Sequence, residues 1–209
     1  MSPGDRRPLG VFDSGIGGLS VLAALRAELP GFPLVGVEPA LKPAVAASRT
    51  GRIAVLATRG TVTSRKFELL REGFAAQAEF SIVACDGLAQ AIEDGEPGRI
   101  AELCARYVAQ AGRFGTRPGE IDTLVLGCTH YPFVAAELRR HTGDDVRFIE
   151  TGVPVALQTR RLLAAAGTLA PAGDADGAAT GRGGVRLMGT GDPAALRAAA
   201  IRWLPGARG

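Results

Sequence analysis

Thr123-Leu124-Val125-Leu126-Gly127-Cys128-Thr129-His130-Tyr131-Pro132 is the stretch on which the fold turns. Four residues of strong strand character, 123–126, run into a glycine. A thiol, a hydroxyl and an imidazole follow without interruption, and Pro132 suits the first turn of a helix over residues 133–140. Ligands of open α/β sheets bind outside the carboxyl ends of the strands, which is where Cys128, Thr129 and His130 fall. A helix N-terminus close behind would attract a carboxylate and activate a cysteine. The stretch predicts an anion-holding edge with Cys128 as its reactive group. A Cys after an apolar strand is otherwise an ordinary small buried hydrophobe, and the adjoining His130 is what shifts the reading.

The same grammar recurs on both sides of this stretch. Residues 8–12 read as an apolar strand that ends in Asp13-Ser14-Gly15-Ile16-Gly17-Gly18-Leu19-Ser20. Its glycines permit close backbone approach to a ligand, and Val21, Leu22, Leu25 and Leu29 give the next helix an apolar face. The turn is neither a G-x-G-x-x-G fingerprint nor a P-loop, which would need a lysine. Asp13 could take up an amino group or orient a thiol; an Asp-Ser turn that merely caps the helix explains the same residues. Further strands are predicted at 34–37, 53–57, 78–83, 146–149 and 185–188. Helices are predicted after Pro39 to 48, over 63–73, from 88 onward with Glu93 and Asp94, and over 100–111, 152–166 and 193–204. Residues 169–184, rich in Gly, Ala and Asp, read as a surface excursion. Alternation of strands and helices predicts a parallel α/β fold.

Composition narrows the functional classes. The chain has 209 residues, 46% hydrophobic and 22% charged, enough for one generous domain or two small ones. Its net charge is +3, but the basic residues are scattered and aromatics make up only 5%, so no nucleic-acid interface is expected. No apolar run approaches membrane-spanning length and no export signal is evident, so no membrane partner is expected. The three cysteines (Cys85, Cys104 and Cys128) are odd in number and contain no C-x-x-C, which suggests neither a disulfide framework nor a metal site. Free thiols without an export signal predict a cytoplasmic protein.

Four stretches together resemble glutamate racemase. They are Gly10-Val11-Phe12-Asp13-Ser14-Gly15-Ile16-Gly17-Gly18-Leu19-Ser20, Val35-Gly36-Val37-Glu38-Pro39, Ile53-Ala54-Val55-Leu56-Ala57-Thr58 and Leu126-Gly127-Cys128-Thr129-His130-Tyr131-Pro132. They occur in that family's order, and the likeness covers nearly the whole chain outside 169–184. The resemblance implies an isomerase that interconverts L- and D-glutamate for peptidoglycan synthesis, without cofactor or metal. Two thiols of such an enzyme face opposite sides of the substrate's α-carbon, one removing a proton and the other delivering one. By position, Cys128 matches the second catalytic cysteine, and Asp13 and His130 match the residues that assist the thiols. Ser14 and Thr129 match substrate-binding hydroxyls beside Asp13 and His130, and Glu93 matches an acidic residue near the second cysteine. Cys85 resembles a family cysteine outside the catalytic pair, and Cys104 reads as a buried helix residue.

Two family motifs have no counterpart here. A Pro-Tyr-Gly and a Cys-Asn-Thr, the latter bearing the first catalytic cysteine, belong between the first helix and Val35-Gly36-Val37-Glu38-Pro39. The chain passes instead from Leu29 and Pro30 straight to Phe32-Pro33-Leu34-Val35. The resemblance therefore implies two facing parallel-sheet α/β lobes: an intact lobe over 38–147 carrying Cys128, and an incomplete one from 1–37 plus 148–209. Exposed sheet edges in the incomplete lobe make homo-oligomers plausible. Three readings remain open at the sequence level: a racemase impaired by the loss, a non-catalytic racemase-like protein that binds a ligand or partner, and a Cys-His thiol hydrolase using Cys128 and His130.

Overall fold

The computed structural model describes residues 39–168 and 192–203. The predictions for residues 1–38, Asp13 and Ser14 among them, lie outside the described residues, as do the strand at 185–188 and the excursion at 169–184. The chain divides into two compact units, residues 1–169 and 170–209.

The first unit is built on four parallel strands: β1 (Arg52–Ala57), β2 (Glu79–Ala84), β3 (Thr123–Leu126) and β4 (Arg147–Ile149), in the order β2-β1-β3-β4. Residues 53–57 and 123–126 are buried throughout, which is why both segments read as unbroken apolar runs rather than alternating ones. Helices cover both faces. On one, α1 (Leu41–Ala47) and α3 (Arg65–Glu72) set Leu41, Ala44 and Phe67 against Ile53, Val55, Ala57 and Val125. Between them lies α2 (Arg59–Val62), a single turn capped by Thr58, whose hydroxyl accepts from the Thr61 amide. The helix expected over 63–73 thus begins a turn early and breaks at Ser64, whose hydroxyl caps α3 by accepting from the Phe67 amide at 3.2 Å.

The opposite face carries α4 (Leu88–Asp94) and α5 (Pro97–Ala111), with Ile100, Leu103, Cys104, Tyr107, Val108 and Ala111 buried at helical spacing along α5. Ser81, paired with Ala54 across β1 and β2, donates to the Ala111 carbonyl at 2.6 Å and fastens the end of α5 to this face. After β3 comes a correction to the expected helix over 133–140. Residues Tyr131–Val134 form a 3₁₀ turn, and α6 (Ala135–Thr142) starts only beyond it. The amides of Tyr131 and Phe133 return to the carbonyls of Cys128 and His130 at 3.2 and 3.1 Å, so those donors are spent on the turn itself. Pro132 pre-sets this tighter geometry as readily as an α-helical first turn.

Beyond β4, which brings Phe148 and Ile149 into the sheet, runs α7 (Gly152–Ala165). In the second unit α8 (Pro193–Trp203) begins at Asp192, whose carboxylate accepts from the Ala194 amide at 2.9 Å. Among the described residues no helix is long and apolar enough to cross a membrane.

At the amino ends of the strands, one carboxylate joins separate elements. Asp122 is 2% exposed and accepts from the Ser48 hydroxyl (2.6 Å), the amides of Arg49 and Thr50 (2.6 and 3.0 Å) and the Thr123 hydroxyl (2.9 Å). Burial opposes its charge, but these four donors outweigh that and hold the carboxyl below its ordinary range. The α1–β1 turn is thereby tied to β3.

Candidate active site at the sheet's switch point

From β1 the chain moves outward to β2, returns across β1 to β3, then moves outward again to β4, so the strand order reverses between β1 and β3. The crevice of an open α/β sheet lies at the carboxyl ends of such a pair. Gly127 is required there because the strands close tightly. Its amide donates to the Leu56 carbonyl at 2.7 Å, and a Cβ at this position would lie 2.9 Å from both that oxygen and the Ala57 Cβ. The backbone then turns, and Cys128 leaves the sheet half-buried at its edge.

Three of the residues singled out from sequence meet at this edge. The Cys128 Sγ lies 3.6 Å from the His130 Nδ1, and the His130 Nε2 lies 2.7 Å from a carboxylate oxygen of Glu93 on α4. The order is thiol, imidazole, carboxylate. The Cys128 sulfur is the main influence raising the His130 pKa, and Glu93 adds to it; together they overcome burial and push it up from 6.5 to about 9. His130 is therefore an imidazolium at neutral pH, with one ring N–H toward sulfur and the other toward the carboxylate. This cation faces the Cys128 sulfur at 3.6 Å. Thr129 sits exposed between them. Asp13 and Ser14 lie outside the described residues.

The other two thiols belong to the core. Cys85, at the end of β2, is 2% exposed, and burial pushes its pKa up to about 12. Cys104, on the buried face of α5, is fully enclosed and burial raises it likewise to about 12. Both remain protonated and inaccessible at neutral pH, as the sequence reading of Cys104 anticipated. Since the chain has three cysteines, Cys128 is its one accessible thiol. Among the described residues no group of three or more His, Cys, Asp or Glu side chains is arranged to hold a metal ion.

The sequence reading missed two tyrosines beside this site. Tyr131 is fully buried and donates to the Cys85 carbonyl at 3.4 Å; Tyr107, on α5, donates to the Asp86 carbonyl at 2.6 Å. A signal was available for Tyr107. A phenol on the apolar stripe of an amphipathic helix needs a hydroxyl partner when buried.

The model of the Asp/Glu/hydantoin racemase family matches residues 19–159. That is most of the chain, and the chain belongs to this family. Glutamate racemase of Pseudomonas putida is 42% identical over 181 residues, which cover 86% of this chain and 63% of that protein. Glutamate racemase of Herpetosiphon aurantiacus is 32% identical over 251 aligned positions, covering 90% of this chain and 94% of its own. That alignment is longer than the 209 residues available here, so the relative carries internal residues with no counterpart in this chain. Among solved structures, a glutamate racemase isoform from Bacillus anthracis aligns with a TM-score of 0.68 at 26% identity, over 88% of this chain and 65% of that one. Escherichia coli glutamate racemase, solved with L-glutamate and an activator, aligns with a TM-score of 0.55 at 33% identity, over 68% and 53% respectively. The chain thus spans about three-fifths of the length of the Pseudomonas relative.

Proposed function

We propose that this chain is a glutamate racemase-type isomerase reduced to one of its two proton-transfer faces. It would take glutamate without metal or organic cofactor and act on the α-carbon through Cys128. The carrying observation is the Glu93–His130–Cys128 array at the β1/β3 switch point in a chain with no second accessible thiol. The α-proton of an amino acid is very weakly acidic, so the base must be a positioned thiolate and the developing charge must meet fixed donors. His130 would balance the Cys128 charge as the proton is taken, with Glu93 fixing the ring. Thr129, exposed at the strand end, would donate to the substrate, and Asp13 and Ser14 would complete the site from the other lobe.

Full interconversion needs an acid on the far face of the carbanion-like transition state. With Cys85 and Cys104 in the core, Cys128 can remove a proton, exchange it with solvent and return it only to the same face. Impaired racemisation with surviving one-sided exchange is the expected behaviour. The lobe division, 38–147 against 1–37 plus 148–209, is retained in this reading, with residues 148–149 joining the sheet of the former. So are a cytoplasmic setting, a role in D-glutamate supply for the cell wall, and self-association of the incomplete lobe.

The test is L-glutamate in D2O, followed by loss of the α-proton signal in proton NMR. Exchange is expected with the unaltered chain and should fall to the uncatalysed background in Cys128→Ala. Exchange that persists in that variant would remove Cys128 from its role.

A hydrolase reading would use Cys128 as a nucleophile with His130 as base. The Cys128–His130 contact with Glu93 behind it would serve that chemistry too; membership of the Asp/Glu/hydantoin racemase family favours proton transfer at carbon instead.

A further inference from the structure

Glu93 reaches His130 from a short helix. α4 has seven residues, no side-chain cap at its amino end, and glycines at both ends, Gly87 with φ +78° and Gly95 with φ +69°. Two turns of helix do not persist by themselves in water. The helix buries Leu88, Ala91 and Ile92, while Glu93 lies on its exposed flank with a side chain 56% accessible. Leu88 and Ile92, both fully buried, seat the helix, and the 2.7 Å contact of Glu93 with His130 depends also on where the helix begins.

The segment that launches α4 is held from several sides. The Cys85 amide donates to the Ala57 carbonyl at 2.9 Å. The Asp86 carbonyl accepts from the Tyr107 hydroxyl at 2.6 Å, and the Asp86 carboxylate takes the Arg59 Nε at 3.0 and 3.1 Å. Arg59 opens α2 directly after β1, and Tyr107 sits on α5. Residues 85–87 are thus anchored to the end of β1 on one side and to α5 on the other. Burial keeps the Tyr107 phenol in its neutral, donating form.

We propose that Tyr107 and Arg59 are positioning residues that hold the start of α4 through Asp86, so that Glu93 stays against His130. Neither touches the reacting groups. The proposal rests on the reading of Cys128, His130 and Glu93 as one array, and its test reads that array rather than turnover.

The chain has two histidines, so its imidazole proton signals are few enough to follow individually, and His141 serves as an internal reference. NMR titrations of the full chain would compare the unaltered protein with Glu93→Gln, Tyr107→Phe and Arg59→Gln. Glu93→Gln sets the scale, because it removes the carboxylate outright. Tyr107→Phe keeps the ring and loses only the hydroxyl; Arg59 is largely exposed and tolerates Gln. Both variants should lower the His130 midpoint toward the Glu93→Gln value while His141 stays put. Added to Glu93→Gln, neither should shift it further.

For Arg59 the sign is decisive. Removing a cation would raise the midpoint of a histidine through space, whereas losing the position of Glu93 lowers it. A His130 midpoint that is unchanged in Tyr107→Phe, or unchanged or raised in Arg59→Gln, would overturn the proposal. A Glu93→Gln variant that leaves His130 where it was, or parallel shifts of both histidines, would overturn it as well. Loss of hydrogen exchange with an intact His130 response would count against the functional reading alone.

Discussion

At Gly127 the two central strands meet with no room for a methyl group. An added Cβ would lie 2.9 Å from the Leu56 carbonyl oxygen, which is backbone and cannot rotate away. Gly127→Ala should therefore destabilise the fold by about 1–3 kcal/mol, read from the midpoint of urea unfolding. An unchanged midpoint would mean the strands part there without cost. Cys128 and His130 were both legible from the sequence because they follow a strand directly, and the edge of an α/β sheet gives such positions a meaning before any contact is known. Glu93 was matched by resemblance alone, because a contact between residues 93 and 130 depends on how α4 packs. Tyr107 was not read at all. Its value lies in a hydroxyl aimed at a backbone carbonyl, and no spacing along the chain encodes that pair.

Among the elements, strands were read more closely than the starts of helices. The buried runs 53–57 and 123–126 leave no choice of face, so their limits follow from hydrophobicity alone. The segment after Cys128 differs: Pro132 fits both a 3₁₀ and an α-helical first turn, and the tighter turn wins where Tyr131 must enter the core. Asp122, which no motif marked, joins α1, β1 and β3. Its pKa is lowered in the folded chain, so its contribution to stability is present above the unfolded value of about 3.9 and is lost as pH falls through the folded one. Asp122→Ala should cost on the order of 3 kcal/mol at neutral pH by leaving the Arg49 and Thr50 amides without their acceptor. The difference from the unaltered chain should narrow below about pH 4. Denaturant unfolding of both proteins across that range measures it, and a gap that is constant with pH would contradict the assignment.

For the molecule as a whole, the arrangement is a racemase-family sheet with Cys128, His130 and Glu93 together at its switch point and one accessible thiol. The likeness of four separated motifs was enough to place the chain in its family; two of them, 53–58 and 126–132, run to and past the carboxyl ends of β1 and β3. The two missing motifs were legible as a gap in that order after Leu29 and Pro30. The sequence already read Cys104 as a buried helix residue; the structure adds that Cys85 is sealed behind β2 as well, so that neither is placed to stand in for the lost one. The central claim is this restriction to one face. Its most direct measurement is to incubate each glutamate enantiomer with the protein in D2O and to determine both deuterium content and chirality at the α-carbon. The account predicts label entering L-glutamate with its configuration retained, and no appearance of the mirror-image amino acid from either starting enantiomer. Deuterated glutamate of inverted configuration would show that a second acid faces the substrate, and would contradict it.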